Sequence, residues 1–135
     1  MKRIILCAFV LVACILGIQA QTQVIAHRGF WKTEGSAQNS ITALEKAAEA
    51  QLYGSEFDVL MTVDGKLVVN HDNKIEEMVI AETPYKKLKK LRIKNGEKLP
   101  TLKNYLKKGK KLDIQLILEA KPLPTKEMED QAIAN

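Results

Sequence analysis

The sequence predicts an α/β fold with a mainly parallel sheet. Short apolar runs typical of buried strands alternate along the chain with segments whose apolar residues recur at helical spacing. Hydrophobic residues make up 46% of the chain and charged residues 27%, a globular composition that excludes a disordered, collagen-like or disulfide-packed chain. The length of 135 residues corresponds to one small domain.

Residues 1–20 have the layout of a secretory signal peptide. Lys2 and Arg3 precede an apolar run of about fifteen residues, which is short for a membrane span because a span needs roughly 20. Ala20 is a suitable small residue before a cleavage point. We therefore expect an exported protein, periplasmic or secreted, whose mature domain covers residues 21–135.

Two alternatives stay open for this leader. Leu11–Cys14 is similar to the lipobox of bacterial lipoproteins, so the chain could instead be cut before Cys14 and anchored through it. The second alternative is an uncleaved membrane anchor. Cys7 and Cys14 are the only cysteines, so a domain cut after Ala20 has no disulfide and depends on its core or on a bound ion.

The first predicted β-α unit consists of a strand at residues 24–27, a loop and a helix. Asn39 or Ser40 is placed to cap the helix, and Gly54 to end it. The apolar residues between these signals keep the 3-4 spacing of an amphipathic helix.

Asp64-Gly65 is a strong turn signal between predicted strands at residues 55–61 and 67–71. The connection is too short for a helical crossover. Either the two strands form a hairpin, or one β-α unit has lost its helix. A two-residue hairpin turn places Asp58 opposite His71.

Two helices, a strand and a last helix complete the predicted series. Thr83-Pro84 begins a short helix that ends near Leu91, and a second helix covers residues 101–109. A strand follows at residues 113–119, and Thr125 caps the last helix.

The positive charge is concentrated in one stretch of the chain. Cleavage of the leader lowers the net charge from +5 to +3, and residues 84–111 hold twelve basic side chains and one acidic one. This pattern raises the question of a nucleic-acid footprint. Leu88 and Leu91 form an apolar stripe under the lysines, however, and only Tyr85 and Tyr105 offer stacking surfaces. We therefore predict a solvated helix face and no nucleic-acid partner, with weak association with an anionic membrane surface as a further possibility.

Two carboxylates are predicted on one face of the second strand. Glu56 and Asp58 are two residues apart, so their side chains point the same way and repel unless a cation lies between them. Ca²⁺ and Mg²⁺ prefer such oxygen ligands. Glu119 and Lys121 share a face at the end of the last strand. The alternative for Glu56 and Asp58 is a solvated pair on an exposed face.

Both histidines of the chain end apolar strands. His27 is followed by Arg28, a side chain that can bind phosphate through two hydrogen bonds, and His71 is the last residue of the strand predicted at residues 67–71. An imidazole side chain can donate or accept a proton near neutral pH, because its ordinary pKa lies close to 7. The two residues are therefore candidates for a general acid and base, although each could also be a satisfied residue at the sheet edge.

In this order, the motifs resemble those of the glycerophosphodiester phosphodiesterase family, within the phosphatidylinositol-phospholipase-C-like phosphodiesterase superfamily. The match runs through Ala26-His27-Arg28-Gly29, Gln38-Asn39-Ser40, Glu56-Phe57-Asp58, Thr62-Val63-Asp64-Gly65, Val69-Asn70-His71-Asp72, Leu99-Pro100-Thr101-Leu102 and Leu118-Glu119-Ala120-Lys121.

The resemblance implies a metal-dependent hydrolase with a TIM-type (β/α) barrel. Its reaction is the cleavage of a small glycerophosphodiester by water to glycerol 3-phosphate and an alcohol, in lipid and glycerol metabolism. By the same resemblance Glu56, Asp58 and Glu119 hold one divalent cation, Ca²⁺ or Mg²⁺, and His27 and His71 act as general acid and base.

The resemblance also assigns supporting residues. Arg28 and Lys121 neutralise the phosphate oxygens, while Gln38 and Asn39 are expected to contact and orient the residues that bind the ion and the substrate. The family usually has Pro-Glu-Asn where this chain has Ala37-Gln38-Asn39. The lost negative charge bears on the affinity for the ion and on the preferred substrate.

A complete barrel takes about 250 residues, so residues 21–135 correspond to about the N-terminal half of one. We therefore expect this polypeptide alone to be poorly stable or self-associating, and weak as a catalyst. The alternative function is an exported, non-catalytic binding module for anionic phosphate-containing ligands or envelope polymers. The sequence does not indicate an oligomeric state.

Overall fold

The computed structural model describes residues 22–123 and 125–134. The predicted leader, with its cysteines and both cleavage points, lies outside these described residues. Within them, no helix is both long and apolar enough to cross a membrane.

The described elements alternate between strands and helices, as predicted. In chain order they are β1 (Ile25–Ala26), α1 (Ile41–Glu49), β2 (Gly54–Met61), β3 (Leu67–Val69), β4 (Lys74–Ile75), β5 (Met78–Val79), a 3-10 helix (Ile80–Glu82), α2 (Tyr85–Leu88), α3 (Leu102–Leu112), β6 (Gln115–Ala120) and α4 (Lys126–Ala134).

Strand β2 is the centre of the main sheet. One of its edges pairs with β1 at its first two residues, in parallel, and with β3 at its last three, antiparallel. The other edge pairs with β6, in parallel, over the first six residues of β2. Strands β4 and β5 form a separate small hairpin. The α/β class and the mainly parallel sheet are therefore confirmed.

The two faces of β2 bury different side chains. Phe57 and Val59 pack toward the helices with Leu44 and Tyr105, and the rings of Phe57 and Tyr105 lie 4.6 Å apart between centroids. Leu60 points the other way, into a second apolar cluster made largely of residues from β3 to Leu99. Because side chains alternate along a strand, Glu56 and Asp58 share the face of Leu60.

The hairpin between β2 and β3 is confirmed, but its predicted register is wrong by one residue. Asn70, not His71, lies opposite Asp58, and the Asn70 N–H donates to the Asp58 carbonyl at 3.1 Å. The turn has three residues because Gly65 adopts a left-handed conformation, with φ of 75°. Thr62 closes the turn, since its hydroxyl contacts Asp64 and accepts from the Lys66 N–H.

Neither predicted glycine stop ends a helix. Helix α1 ends at Glu49, with Ala50 as its C-cap, and Gly54 instead begins β2, where a Cβ atom would lie 2.6 Å from Cδ1 of Ile117. Helix α3 continues through Gly109 to Leu112, with a left-handed Asp113 as its C-cap. Both glycines are therefore required by close packing against β6.

The remaining helix boundaries differ less from the predicted ones. Pro84 is the N-cap of α2, where Thr83 was expected to contribute, and Asp64 Oδ1 accepts from the Tyr85 N–H at 2.9 Å. The helix is also shorter than predicted, ending at Leu88. Thr101 caps α3 as predicted, accepting from the Asn104 N–H, and α4 begins directly after Thr125.

Candidate active site

Three carboxylates converge where the middle of β2 pairs with the end of β6. One oxygen each from Glu56, Asp58 and Glu119 lies within 4.8 Å of the other two. Asp58 and Glu119 are direct partners across the two parallel strands, which explains why residues 61 positions apart meet. The predicted cluster is therefore assembled by the register of the sheet.

Asp58 is the most enclosed of the three. Its side chain is fully buried, whereas that of Glu119 is half exposed. Asn39 Nδ2 donates to Asp58 Oδ2 at 2.8 Å, and Asn39 Oδ1 accepts from the Asp58 N–H at 3.1 Å. Asn39 is itself buried and adopts a left-handed conformation with φ of 60°. This reciprocal pair fixes the carboxylate.

Lys121 supplies positive charge to two of the carboxylates. Its Nζ lies 2.8 Å from Asp58 Oδ1 and also contacts Glu119 Oε1. Burial alone would raise the pKa of Asp58, but the hydrogen bonds from Asn39 and Lys121 outweigh it and hold the pKa below the ordinary value. The hydrogen bonds to Asp58 and Glu119 raise the pKa of Lys121.

Arg28 reaches the same cluster from the loop after β1. Its backbone N–H donates to Glu56 Oε2 at 2.8 Å, and its Nε lies 3.6 Å from Asp58 Oδ2. Nη1 donates to Gln38 Oε1 at 3.0 Å. Arg28 has a φ of 60°, so its left-handed backbone turns both the N–H and the guanidinium toward the carboxylates.

One buried oxygen of Glu56 has no hydrogen-bond partner among the residues that the structure describes. Glu56 Oε1 is buried and accepts no hydrogen bond from the described residues, although Oε2 accepts from Arg28. A buried carboxylate oxygen without a partner is costly, and a bound cation would satisfy it. The donor set is all oxygen, which suits Ca²⁺ or Mg²⁺.

The two histidines flank the carboxylates but differ in exposure. His27 is 67% exposed, and its Nε2 lies 3.9 Å from Glu56 Oε2. His71 is one-third exposed, and its Nδ1 lies 2.8 Å from Asp72 Oδ1. His71 is also close enough for its charge to help lower the pKa of Asp58. The hairpin thus brings His71 to the site despite the shifted register.

A cavity of about 240 Å³ opens beside His71. Gln38, which contacts Arg28, forms part of its wall. Basic side chains of the segment after β3 line the same space, namely Lys74, Arg92 and Lys94.

The sequence prediction missed two polar residues that act on this region. Asp72 is the partner of His71, and its position next to the histidine was the available signal. Glu97 is hydrogen-bonded to the start of α1. No local signal identifies that contact, because its two sides are more than fifty residues apart.

The chain is similar to known proteins in both sequence and structure. Residues 27–133 match the model of the glycerophosphoryl diester phosphodiesterase family. A glycerophosphodiester phosphodiesterase from Caldanaerobacter subterraneus is 38% identical over 94 residues, which are 61% of this chain and 38% of that protein.

Solved structures are similar over most of this chain. A glycerophosphodiester phosphodiesterase from Parabacteroides distasonis is 57% identical with a TM-score of 0.80, over 83% of this chain and 48% of that one. A phosphodiesterase from Oleispira antarctica, in complex with the product sn-glycerol-3-phosphate, is 29% identical with a TM-score of 0.73, over 84% and 49%.

The chain spans about half the length of these structures and less than half of the curated relative. The likeness confirms the predicted TIM-type barrel class, of which this chain corresponds to about half. The family model covers well over half of the 135 residues. The chain therefore belongs to the glycerophosphoryl diester phosphodiesterase family.

Proposed function

We propose that the protein hydrolyses small glycerophosphodiesters to glycerol 3-phosphate and an alcohol, in lipid and glycerol metabolism, with one bound divalent cation. The observation that carries the proposal is the convergence of three carboxylates, one of them with a buried unpartnered oxygen, beside two histidines and two cationic side chains. Membership of the family and the product complex of the Oleispira antarctica relative support the substrate class.

Glu56, Asp58 and Glu119 are the residues that would hold the ion. Glu56 Oε1, which has no hydrogen-bond partner among the described residues, and the half-exposed carboxylate of Glu119 are the groups most available to an ion. Asp58 is already oriented by Asn39. When bound, Ca²⁺ or Mg²⁺ supplies Lewis-acid polarisation of a phosphoryl oxygen.

Arg28 and Lys121 bind and orient the phosphodiester. A phosphodiester resists attack because its free oxygens are anionic, so cationic donors on those oxygens favour the transition state. The Arg28 guanidinium offers several donors in one plane. Lys121 is held at the carboxylates by Asp58 and Glu119, at the position where substrate charge would arrive.

His27 and His71 move the protons. In the net reaction the oxygen of water forms a bond to phosphorus, and the bond between phosphorus and the alcohol oxygen breaks. One histidine accepts the proton of the nucleophile, and the other donates a proton to the leaving alkoxide. Asp72 orients the ring of His71 through its Nδ1.

The test is hydrolysis of glycerophosphocholine by the full chain, with Mg²⁺ or Ca²⁺ added after chelator treatment. We expect release of glycerol 3-phosphate that excess chelator abolishes and either ion restores. Full activity in excess chelator would remove the metal from the proposal. Tight binding of glycerophosphodiesters without turnover would favour the non-catalytic binding module.

We propose in addition that the leader exports the protein. Expression in a bacterial host followed by fractionation tests this. A shortened product in the periplasm or medium supports a signal peptide, whereas labelling by a fatty acid that is lost in Cys14→Ala supports the lipoprotein.

A further inference from the structure

Glu97 caps the first turn of α1, although it lies 56 residues further along the chain than Ile41. Its Oε2 accepts from the Ile41 N–H at 3.0 Å, and its Oε1 accepts from the Thr42 N–H at 3.2 Å. Ser40 Oγ accepts from the next free N–H, that of Ala43. The first turn of α1 contains no acidic residue of its own, so Glu97 supplies the negative charge that a helix N-terminus favours.

The Glu97 carboxylate is held in place by a tight turn. Asn95 Nδ2 donates to Glu97 Oε1 at 2.6 Å and to the Gly35 carbonyl at 3.2 Å. The Ile93 N–H donates to the Glu97 carbonyl at 2.9 Å, which closes the turn. Segment 93–97 is thereby attached both to α1 and to the loop that precedes it.

That loop carries the residues that orient Asp58. Asn39 immediately precedes the N-cap Ser40, and its side chain makes the reciprocal pair with Asp58. Its backbone N–H donates to the Arg28 carbonyl at 3.0 Å. Because Asn39 is joined directly to the N-cap Ser40 and is buried in a left-handed conformation, a shift in the start of α1 would displace its side chain from Asp58.

We infer that Glu97 is a positioning residue of the carboxylate cluster. By fixing the start of α1 it fixes Asn39, and through Asn39 it fixes the Asp58 carboxylate. The consequence for ion affinity rests on the proposed function. The consequence for Asn39 does not, because it concerns only contacts within the chain.

The experiment compares Glu97→Gln with two matched variants of the full chain. Glu77→Gln removes the same charge from an exposed side chain without hydrogen bonds among the described residues. Thr101→Ala removes the N-cap of a different helix, α3, and so controls for loss of stability alone. Affinity for Mg²⁺ and Ca²⁺ is measured by calorimetry, and the Asn39 side-chain amide is followed by NMR in metal-free protein.

We expect Glu97→Gln to weaken ion binding about ten-fold, the lower end of the range for residues that support metal ligands. It should also shift the Asn39 amide signals, while both control variants leave affinity and signals unchanged. Unchanged Asn39 signals in a folded Glu97→Gln protein would overturn the inference. If Thr101→Ala lost as much ion affinity as Glu97→Gln, the effect of Glu97 would be one of helix stability alone. That result would also overturn the inference.

Two further results are decisive as well. If the unmodified chain binds no ion, the proposed function fails, and the Asn39 signals alone decide the role of Glu97. If Glu97→Gln does not fold, Asn95→Ala takes its place, since it removes the donor that orients the Glu97 carboxylate. Asn95→Ala should produce a smaller shift of the same Asn39 signals. If the Asn39 signals did not shift in Asn95→Ala, the positioning role of Glu97 would be refuted.

Discussion

Lys121 Nζ lies 2.8 Å from Oδ1 of Asp58, a carboxylate that is fully buried. A buried carboxylate without a compensating cation is unfavourable, so this ion pair allows Asp58 to stay charged inside the site. The same ammonium contacts Glu119. Lys121 is therefore a fixed positive charge among the carboxylates as well as a proposed partner of the substrate phosphate.

Lys121→Met should lower turnover of glycerophosphocholine by about 100-fold or more, the usual cost of removing one donor that stabilises transition-state charge. It should also destabilise the metal-free protein, because Asp58 loses its closest cation. Steady-state kinetics and urea unfolding measure the two effects. Lys126→Met removes an exposed pair with Asp130 and should change neither; an equal effect in both variants would contradict the role of Lys121.

His71→Ala should reduce turnover by about 10²- to 10⁴-fold, the range of general acid–base catalysis, while leaving the fold unchanged. The side chain is partly exposed and bonded to the exposed Asp72, so its removal opens little of the core. Kinetics and circular dichroism check this. Asn73→Ala, an exposed neighbour, serves as the control. Retained turnover in His71→Ala would exclude it as acid or base.

Tyr105 predicts a loss of stability at alkaline pH. Burial raises the pKa of its hydroxyl to about 12, from an ordinary value of 10.0. Between these values the unfolded chain releases a proton that the folded protein keeps, so stability falls as the pH rises from 10 to 12.

The size of this fall is roughly 3 kcal/mol, at about 1.4 kcal/mol for each pH unit between the two pKa values. Tyr105→Phe should remove it, and Tyr53→Phe, at a half-exposed ring, should not. Urea unfolding at pH 9 and pH 12 measures the difference. If the free energy of unfolding fell by the same amount between pH 9 and pH 12 in Tyr105→Phe and in the unmodified protein, Tyr105 would not be the cause of the fall.

Gly109→Ala should destabilise the protein, although alanine normally favours a helix interior. The added Cβ would lie 2.5 Å from Cδ1 and 2.8 Å from Cγ of Leu116 on β6. Overpacking of this kind costs about 1 to 3 kcal/mol. Thermal unfolding measures it, and a second change, Leu116→Ala, should offset part of the loss. A more stable Gly109→Ala protein would mean that β6 moves away at no cost.

The part of the site that could be predicted from the sequence is the part that depends on the alternation of side chains along one strand. The two-residue spacing of Glu56 and Asp58 placed both side chains on one face, and the structure brings Glu119 to them from β6. The shared face of Glu56 and Asp58 depends only on the period of a strand, which a sequence displays directly, whereas the convergence of Glu119 on them was expected only from the resemblance of the motifs.

The hairpin register and the helix ends were not predictable in the same way. Asp64-Gly65 fits turns of two or three residues, and the choice depends on hydrogen bonds of Thr62 that the pattern does not reveal. Gly109 has the sequence signature of a helix stop, yet its real constraint is a contact with Leu116 in another element. Such tertiary demands leave no mark on local spacing.

The pairing of Asp58 with Glu119 makes the cluster sensitive to the alignment of β2 and β6. If β6 slid by one residue, Leu118 or Ala120 would lie beside Asp58, and Glu119 would turn to the helix side of the sheet. Ligands from distant parts of the chain meet only in the folded sheet, so ion affinity would report correct strand alignment. A simple calcium titration could then distinguish natively aligned molecules from misaligned ones in a refolded preparation.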